Sequence, residues 1–254
     1  MTEPYQPNVS ILTPTYNRRK FLPLILHNLL HFNYPREKLE WCVLDDGEEK
    51  MFATPQDVEE FAKQISPICL TYKTLTEKKQ IGNKRNMIVK QAKHKVVIMM
   101  DDDDIYMPNY IKHSVLTMKE KKKKMVGSKD MLILFPHHNY NVSKFTGRAL
   151  RQIHEATMCF TKKYFKSMGG FKKKVSHGEG SSMIDHNEKN VFSTDITQCM
   201  ICVVHSENTY NKEQFTAPPL RVKRNDAIMY LLVPYIKVLS SILGIVFDEN
   251  GEKW

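Results

Sequence analysis

The run VVIMMDDDDIYMP, residues 96–108, decides how the rest of the chain is read. Five apolar residues, Val96 to Met100, are too few for a helix and suit a strand buried on both faces. The strand stops abruptly at Asp101, Asp102, Asp103 and Asp104, which sets carboxylates at its C-terminal end. Open α/β sheets bind ligands at that edge, and four crowded acids repel one another unless a cation stands among them. Oxygen donors on a loop favour Mg2+ or Mn2+ over zinc, and such an ion keeps waters and takes substrate phosphates as ligands. Taken alone the same run is also a solvated acidic turn, so its surroundings have to choose.

Upstream, Val9 to Thr13 is a short β-rich run closed by Pro14 and followed by Thr15, Tyr16, Asn17 and Arg18. From Lys20 to Asn33 apolar residues recur at Phe21, Leu24, Ile25, Leu29 and Phe32, the helical period, and Tyr34-Pro35 closes it. Leu39 to Leu44 is a second strand, running into Asp45, Asp46 and Gly47; Thr54-Pro55 starts a helix carrying Val58, Phe61, Ala62 and Ile65. Ile68 to Tyr72 reads as a third strand, and Ile81 to Ala92 as a helix leading to the strand at Val96. This β-α-β-α-β-α-β order predicts a mostly parallel, doubly wound α/β sheet flanked by helices. Three polar clusters then fall at C-terminal strand ends and should converge on one crevice: Thr15-Tyr16-Asn17, Asp45-Asp46 and the four Asp. No GxGxxG and no GxxxxGK[ST] follows any strand, which disfavours Rossmann dinucleotide binding and P-loop chemistry.

Length and charge agree with a globular chain that has an acidic partner. In 254 residues, Lys plus Arg exceed Asp plus Glu by 38 to 28, a formal net charge of +10. That excess suits nucleotides, nucleic acid or anionic lipid without choosing among them. The basic runs, Lys119 to Lys124 around Glu120, Lys172 to Lys174, and Arg221, Lys223 and Arg224, lack interleaved aromatics and read as solvated faces. No nucleic acid is therefore expected. Five scattered cysteines, Cys42, Cys69, Cys159, Cys199 and Cys202, imply a reducing compartment. Cys199 and Cys202 have CxxC spacing, but a strand would turn them to opposite faces, and no second pair accompanies them. The N-terminus has no apolar core of a secretory signal, so the expected location is cytoplasmic.

VSILTPTYNR, VLDDG, IGNKRN and VIMMDDDDIYMP, in that order and spacing, resemble the family 2 glycosyltransferases of the GT-A fold, over about the first 115 residues. FKSMGGF, from Phe165 to Phe171, is similar to a later segment of the same family, and the chain looks like a viral or cytoplasmic branch of it. For a viral branch the compartment would be the host cytoplasm. The resemblance implies one GT-A domain: a nucleotide-binding half over residues 1–115, an acceptor half over 116–225 and an apolar C-terminal helix over 226–254. The nucleotide-sugar, a UDP-sugar, would meet Thr15, Tyr16, Asn17, Arg18, Asp45, Asp46, Lys84, Arg85, Asn86, Asp101 and Asp102. Tyr16 would stack on the base and Asp46 accept its imide N–H. Mn2+ or Mg2+ would be held by Asp101, Asp103 and His205, with the four-Asp run leaving the register open by one.

Inverting transfer needs a carboxylate to take the proton of the acceptor hydroxyl. The family places an Asp there, just after a Glu, whereas this chain has Glu179 followed by Gly180. Glu179 is the expected base, with Asp185 in reserve. His137-His138 and His154-Glu155 have no partner at metal spacing and read as acceptor-side loop or surface. The acceptor pocket is expected over about Gly147 to Ser193, its acceptor a glycan, protein or lipid. Ala227 to Phe247 carries a single charge, Lys237, and an internal Pro234. A helix packed on the protein is the first reading, peripheral membrane attachment helped by Arg221, Lys223 and Arg224 the second, and a true span the third. The rivals to an inverting metal-dependent glycosyltransferase are a nucleotidyltransferase and a non-catalytic, basic nucleic-acid- or membrane-binding protein.

Overall fold

Strand β1 (Val9–Thr15) lies inside the main sheet of the computed structural model, which describes residues 5–175, 178–208 and 226–245, with 226–231 as backbone alone. It pairs in parallel with β2 (Leu39–Asp45) on one side and with β4 (Val96–Met99) on the other, and β2 pairs with β3 (Cys69–Thr74). Every residue of β1, β2 and β4 is buried, which is why these strands read as apolar runs rather than alternations. Helices α1 (Leu22–His31), α2 (Pro55–Ile65) and α3 (Ile81–Gln91) make the three crossovers. The start of α2 is fixed by Thr54, which accepts the Asp57 amide while the Asp57 carboxylate accepts the Thr54 amide. The stretch expected to be one helix from Lys20 divides into a 3-10 turn, Arg19–Phe21, and α1 proper, with Pro23 in the first turn of α1.

Beyond the aspartates come β5 (Ile105–Tyr106), α4 (Tyr110–Glu120), β6 (Met125–Gly127), β7 (Met131–Phe135), β8 (Asn141–Phe145), β9 (Cys159–Thr161), α5 (Lys162–Met168), β10 (Val191–Ser193) and β11 (Met200–Val203). The main sheet is completed in the order β10-β6-β9-β4-β1-β2-β3, and β5-β11-β7-β8 form a second sheet. β9 runs antiparallel between β4 and β6, with Cys159 opposite Ile98 and Thr161 opposite Val96. Its first residue therefore stands at the edge where β4 ends. The mostly parallel sheet expected from sequence is what forms, with β9, from the C-terminal half, as its antiparallel strand.

The final helix, α6 (Asp226–Leu243), lays Leu232, Tyr235 and Leu239 into the core beside α1, leaving Lys237 exposed. Tyr235 donates to the Tyr106 carbonyl at 3.0 Å, and Tyr140 and Ser240 hydroxyls lie 2.6 Å apart. Among the described residues no helix is long and apolar enough to cross a membrane. Arg221, Lys223, Arg224 and residues 246–254 lie outside the described residues. Cys202 sits on β11 and Cys199 just before it; both are buried.

Candidate functional site

The ends of β1, β2 and β4 meet at one edge, as their parallel register requires, but the residues there divide sharply between building the edge and facing outward. Asp45 builds. Its carboxylate accepts the amides of Gly47 at 2.8 Å and Met51 at 2.6 Å and the Tyr72 hydroxyl at 2.6 Å, fixing the turn after β2. Burial and that carboxylate together push the Tyr72 phenol well above its ordinary pKa. Asn17, held at φ 54°, accepts the Glu49 amide and so ties the first loop to that turn. Gly47 has no room for a side chain, since a Cβ there would stand 2.6 Å from the Asn17 nitrogen.

Asp46 is buried and paired at 2.6 Å with Lys84, whose ammonium also donates to the Thr15 carbonyl; its second oxygen accepts the Lys79 amide. Beside this pair, Tyr16 is half-buried with the exposed Lys78 ammonium 3.8 Å from its ring centre. Lys78 is a flexible cation in front of an aromatic face, and sequence reasoning missed it because it stands in a plain loop.

The four aspartates separate. Asp104 turns inward: its carboxylate accepts the Val203 amide of β11 at 2.8 Å, and its carbonyl accepts the Asn28 side chain of α1. Asn28 also accepts the Tyr106 amide, so a buried asparagine pins β5 on both sides. Asp101, Asp102 and Asp103 are left at the edge. Asp101 accepts both terminal nitrogens of Arg85 at 3.2 Å, while its own amide donates to the Tyr106 hydroxyl at 2.7 Å. Asp102 is buried; that burial and the adjoining Asp103 push its pKa well up, against the pull of Arg18. Asp103 lies 3.0 Å from His205 Nε2 and 3.7 Å from Arg18 Nε, with the Asn208 amide 3.4 Å away.

His205 follows β11 and packs its ring against Phe21, 4.8 Å between centres. Three residues on, Asn208 reaches back to it at 2.8 Å. Glu207 takes Arg18 and Lys20 as partners, drawing the first loop and the segment after β11 together over the aspartates. Glu207 and Asn208 are placed there only by the fold.

Arg85, on α3, is buried. Burial alone would discourage its charge, but Asp101, Glu179 and Glu155 outweigh that and raise its pKa. Glu179 contacts it at 2.9 Å and is itself raised, first by burial and then by the neighbouring Glu155 despite Arg85. Asn86 uses both ends of its amide on one residue, donating to the Phe171 carbonyl and accepting the Phe171 amide at 2.8 Å. Gly170, at φ +84°, and Gly82, where a Cβ would collide with the Lys172 carbonyl, permit this close approach of the GGF segment to α3. Asp185 stands apart from the aspartates, half-exposed, with its carboxylate 3.7 Å from Lys172 Nζ.

Among the described residues no group of three or more His, Cys, Asp or Glu side chains is disposed to hold a metal ion unaided. Asp103 and His205 offer a carboxylate and an imidazole already side by side. A hard divalent ion that draws its remaining ligands from water and phosphate oxygens fits such a pair. Asp101, by contrast, is turned to Arg85.

The model of the family described as glycosyl transferase family 2 matches residues 10–173. A poly(ribitol-phosphate) beta-N-acetylglucosaminyltransferase, TarS, of Staphylococcus aureus is 30% identical over 96 residues, 37% of this chain and 16% of that protein. The chain thus spans a small part of the curated relatives it matches. Among solved structures, a mannosyltransferase of Pyrobaculum calidifontis in complex with GDP-Man and Mn2+ is similar with a TM-score of 0.61 at 18% identity, covering 94% of this chain and 70% of that one. Residues 1–349 of S. aureus TarS in complex with UDP-GlcNAc are similar with a TM-score of 0.60 at 18% identity, covering 84% and 62%. These likenesses are of fold, and the fold is GT-A.

Proposed function

Because the chain belongs to glycosyl transferase family 2, we propose that it transfers a sugar from a nucleoside diphosphate, a UDP-sugar, to an acceptor hydroxyl with inversion at the anomeric carbon. The observation that carries this reading is the meeting of Asp103 and His205 at 3.0 Å at the end of β4, beside Arg18. A carboxylate, an imidazole and a guanidinium from three distant parts of the chain are grouped where a diphosphate would leave. Mn2+ or Mg2+ bound by Asp103 and His205 would neutralise charge developing on the departing phosphate.

The protein's own groups then have separate tasks. Tyr16 offers its ring to the base once Lys78 swings aside, and Lys78 is then free to meet phosphate. Asp46, fixed by Lys84 and the Lys79 amide, keeps lone pairs for a base N–H. Arg18 adds positive charge beside the diphosphate, and Arg85 holds Asp101 at the edge. A reducing, cytoplasmic setting is part of the same proposal, in keeping with five scattered cysteines of which four are buried.

The test is release of free nucleoside diphosphate from a panel of UDP-, GDP- and TDP-sugars with Mn2+ or Mg2+, with and without chelator. Metal-dependent release from one donor is the expected result. Pyrophosphate as the product would mean nucleotidyl transfer instead. No release and no nucleotide binding by calorimetry would overturn the reading.

A further inference from the structure

The reaction proposed above requires a carboxylate to accept the acceptor proton, and most acids at this edge are already engaged. Asp104 accepts a backbone amide, Asp103 meets His205, Asp101 meets Arg85, and Asp102 is buried. Glu179 is 4% exposed and its Oε1 is taken up by the Arg85 guanidinium at 2.9 Å, so its carboxylate is enclosed and engaged rather than open to an acceptor hydroxyl. Asp185 lies beyond the turn Glu179–Met183, against Lys172.

Glu155 is different. It begins the 3-10 turn Glu155–Thr157 that leads into β9, and the antiparallel register of β9 places that turn at the C-terminal edge of β4. The Met99 amide donates to the Met158 carbonyl, and Tyr106, which receives the Asp101 amide, donates to the Ala156 carbonyl at 3.2 Å. The turn is therefore tied to the aspartate loop by its backbone. The Glu155 side chain is half-buried, and its Oε1 accepts the Gly180 amide at 2.9 Å. A Cβ on Gly180 would stand 2.8 Å from Glu155 Cγ and 3.0 Å from its Oε1. Absence of a side chain at residue 180 is what lets the Glu155 carboxylate lie there, next to Glu179.

We propose that Glu155 is the catalytic base, its carboxylate lying in the space that Gly180 leaves open; this rests on the glycosyl-transfer reading. The acceptor oxygen forms its bond to the anomeric carbon as the bond from that carbon to the diphosphate oxygen breaks, the electron pair leaving with the diphosphate. The acceptor proton passes to Glu155 and from there to water. Glu179 is then a positioning residue that orients Arg85 and, through it, Asp101.

The experiment measures turnover of whichever donor the wild-type protein cleaves, water serving as acceptor, together with UDP affinity by calorimetry, for Glu155→Gln, Glu155→Asp and Glu179→Gln. Glutamine keeps an oxygen for the Gly180 amide, so a merely structural Glu155 tolerates that change whereas a base does not. Expected are a fall in kcat of about 100-fold or more for Glu155→Gln with UDP affinity unchanged, and partial activity for Glu155→Asp. Wild-type kcat in Glu155→Gln, or a loss confined to Glu179→Gln, overturns the assignment and leaves glycosyl transfer standing. A wild-type protein that cleaves no donor and binds no UDP overturns both. Should neither Glu155 variant fold, Gly180→Ala displaces the carboxylate without removing it: a large loss of kcat at intact UDP affinity supports the assignment, and unchanged kcat overturns it.

Discussion

Asp103 and Asp104 are neighbours in sequence, yet one meets His205 and the other accepts the Val203 amide within the fold. Their substitutions should therefore separate activity from stability. Asp103→Ala is expected to keep its melting temperature and to lose about 10²–10³-fold in metal-dependent donor cleavage, as befits loss of charge stabilisation at the leaving group. Asp104→Ala leaves a buried amide without its acceptor and is expected to cost about 1–3 kcal/mol, read as a thermal midpoint several degrees lower. A similar contrast holds for Lys84. Lys84→Met strands the Asp46 carboxylate in a buried site, and breaking such a pair from one side costs about 3–5 kcal/mol in an equilibrium denaturation measurement.

Among the elements, α1 and α6 meet through a histidine. His27 stacks on His31 at 3.8 Å and turns its edge to Tyr235 of α6 at 4.4 Å. Burial, reinforced by His31, lowers its pKa from 6.5 to about 4. The unfolded chain thus takes up a proton below pH 6.5 that the folded one refuses until about pH 4. Stability from this contact is complete above pH 6.5 and is lost progressively as pH falls toward 4. Thermal melts across that window should show a decline that His27→Phe makes shallower; an unchanged slope would sink the idea.

For the molecule as a whole, α6 closes the face of the core formed by α1 and β5. A chain ending at residue 208 would uncover the contacts of Leu232, Tyr235 and Leu239. Burial of one such side chain is worth roughly 1.5–3 kcal/mol, so the shortened protein is expected to melt much earlier or to aggregate. An equal melting temperature for the two lengths would mean that α6 is dispensable to the fold.

Much of this architecture is legible in the sequence. Mostly apolar runs ending in Thr15, Asp45 and Asp101 announce buried parallel strands, because a strand covered on both faces admits few polar residues before it emerges, and the buried Ser10 and Glu40 bond to each other. Those ends share an edge because the strands run parallel. Sequence also singled out Arg85, Asp103 and His205. It could not assign the four aspartates, since the partner that claims Asp104 is an amide on β11 and the partner that holds Asp101 is a side chain on α3. Nor could it lift Glu155 above a reading as acceptor-side loop or surface. Local patterns record periodicity and burial, which are properties of consecutive residues; which carboxylate faces a guanidinium, an amide or an open cleft depends on how β9 and β11 insert beside β4 and β5, and only the assembled sheets decide it.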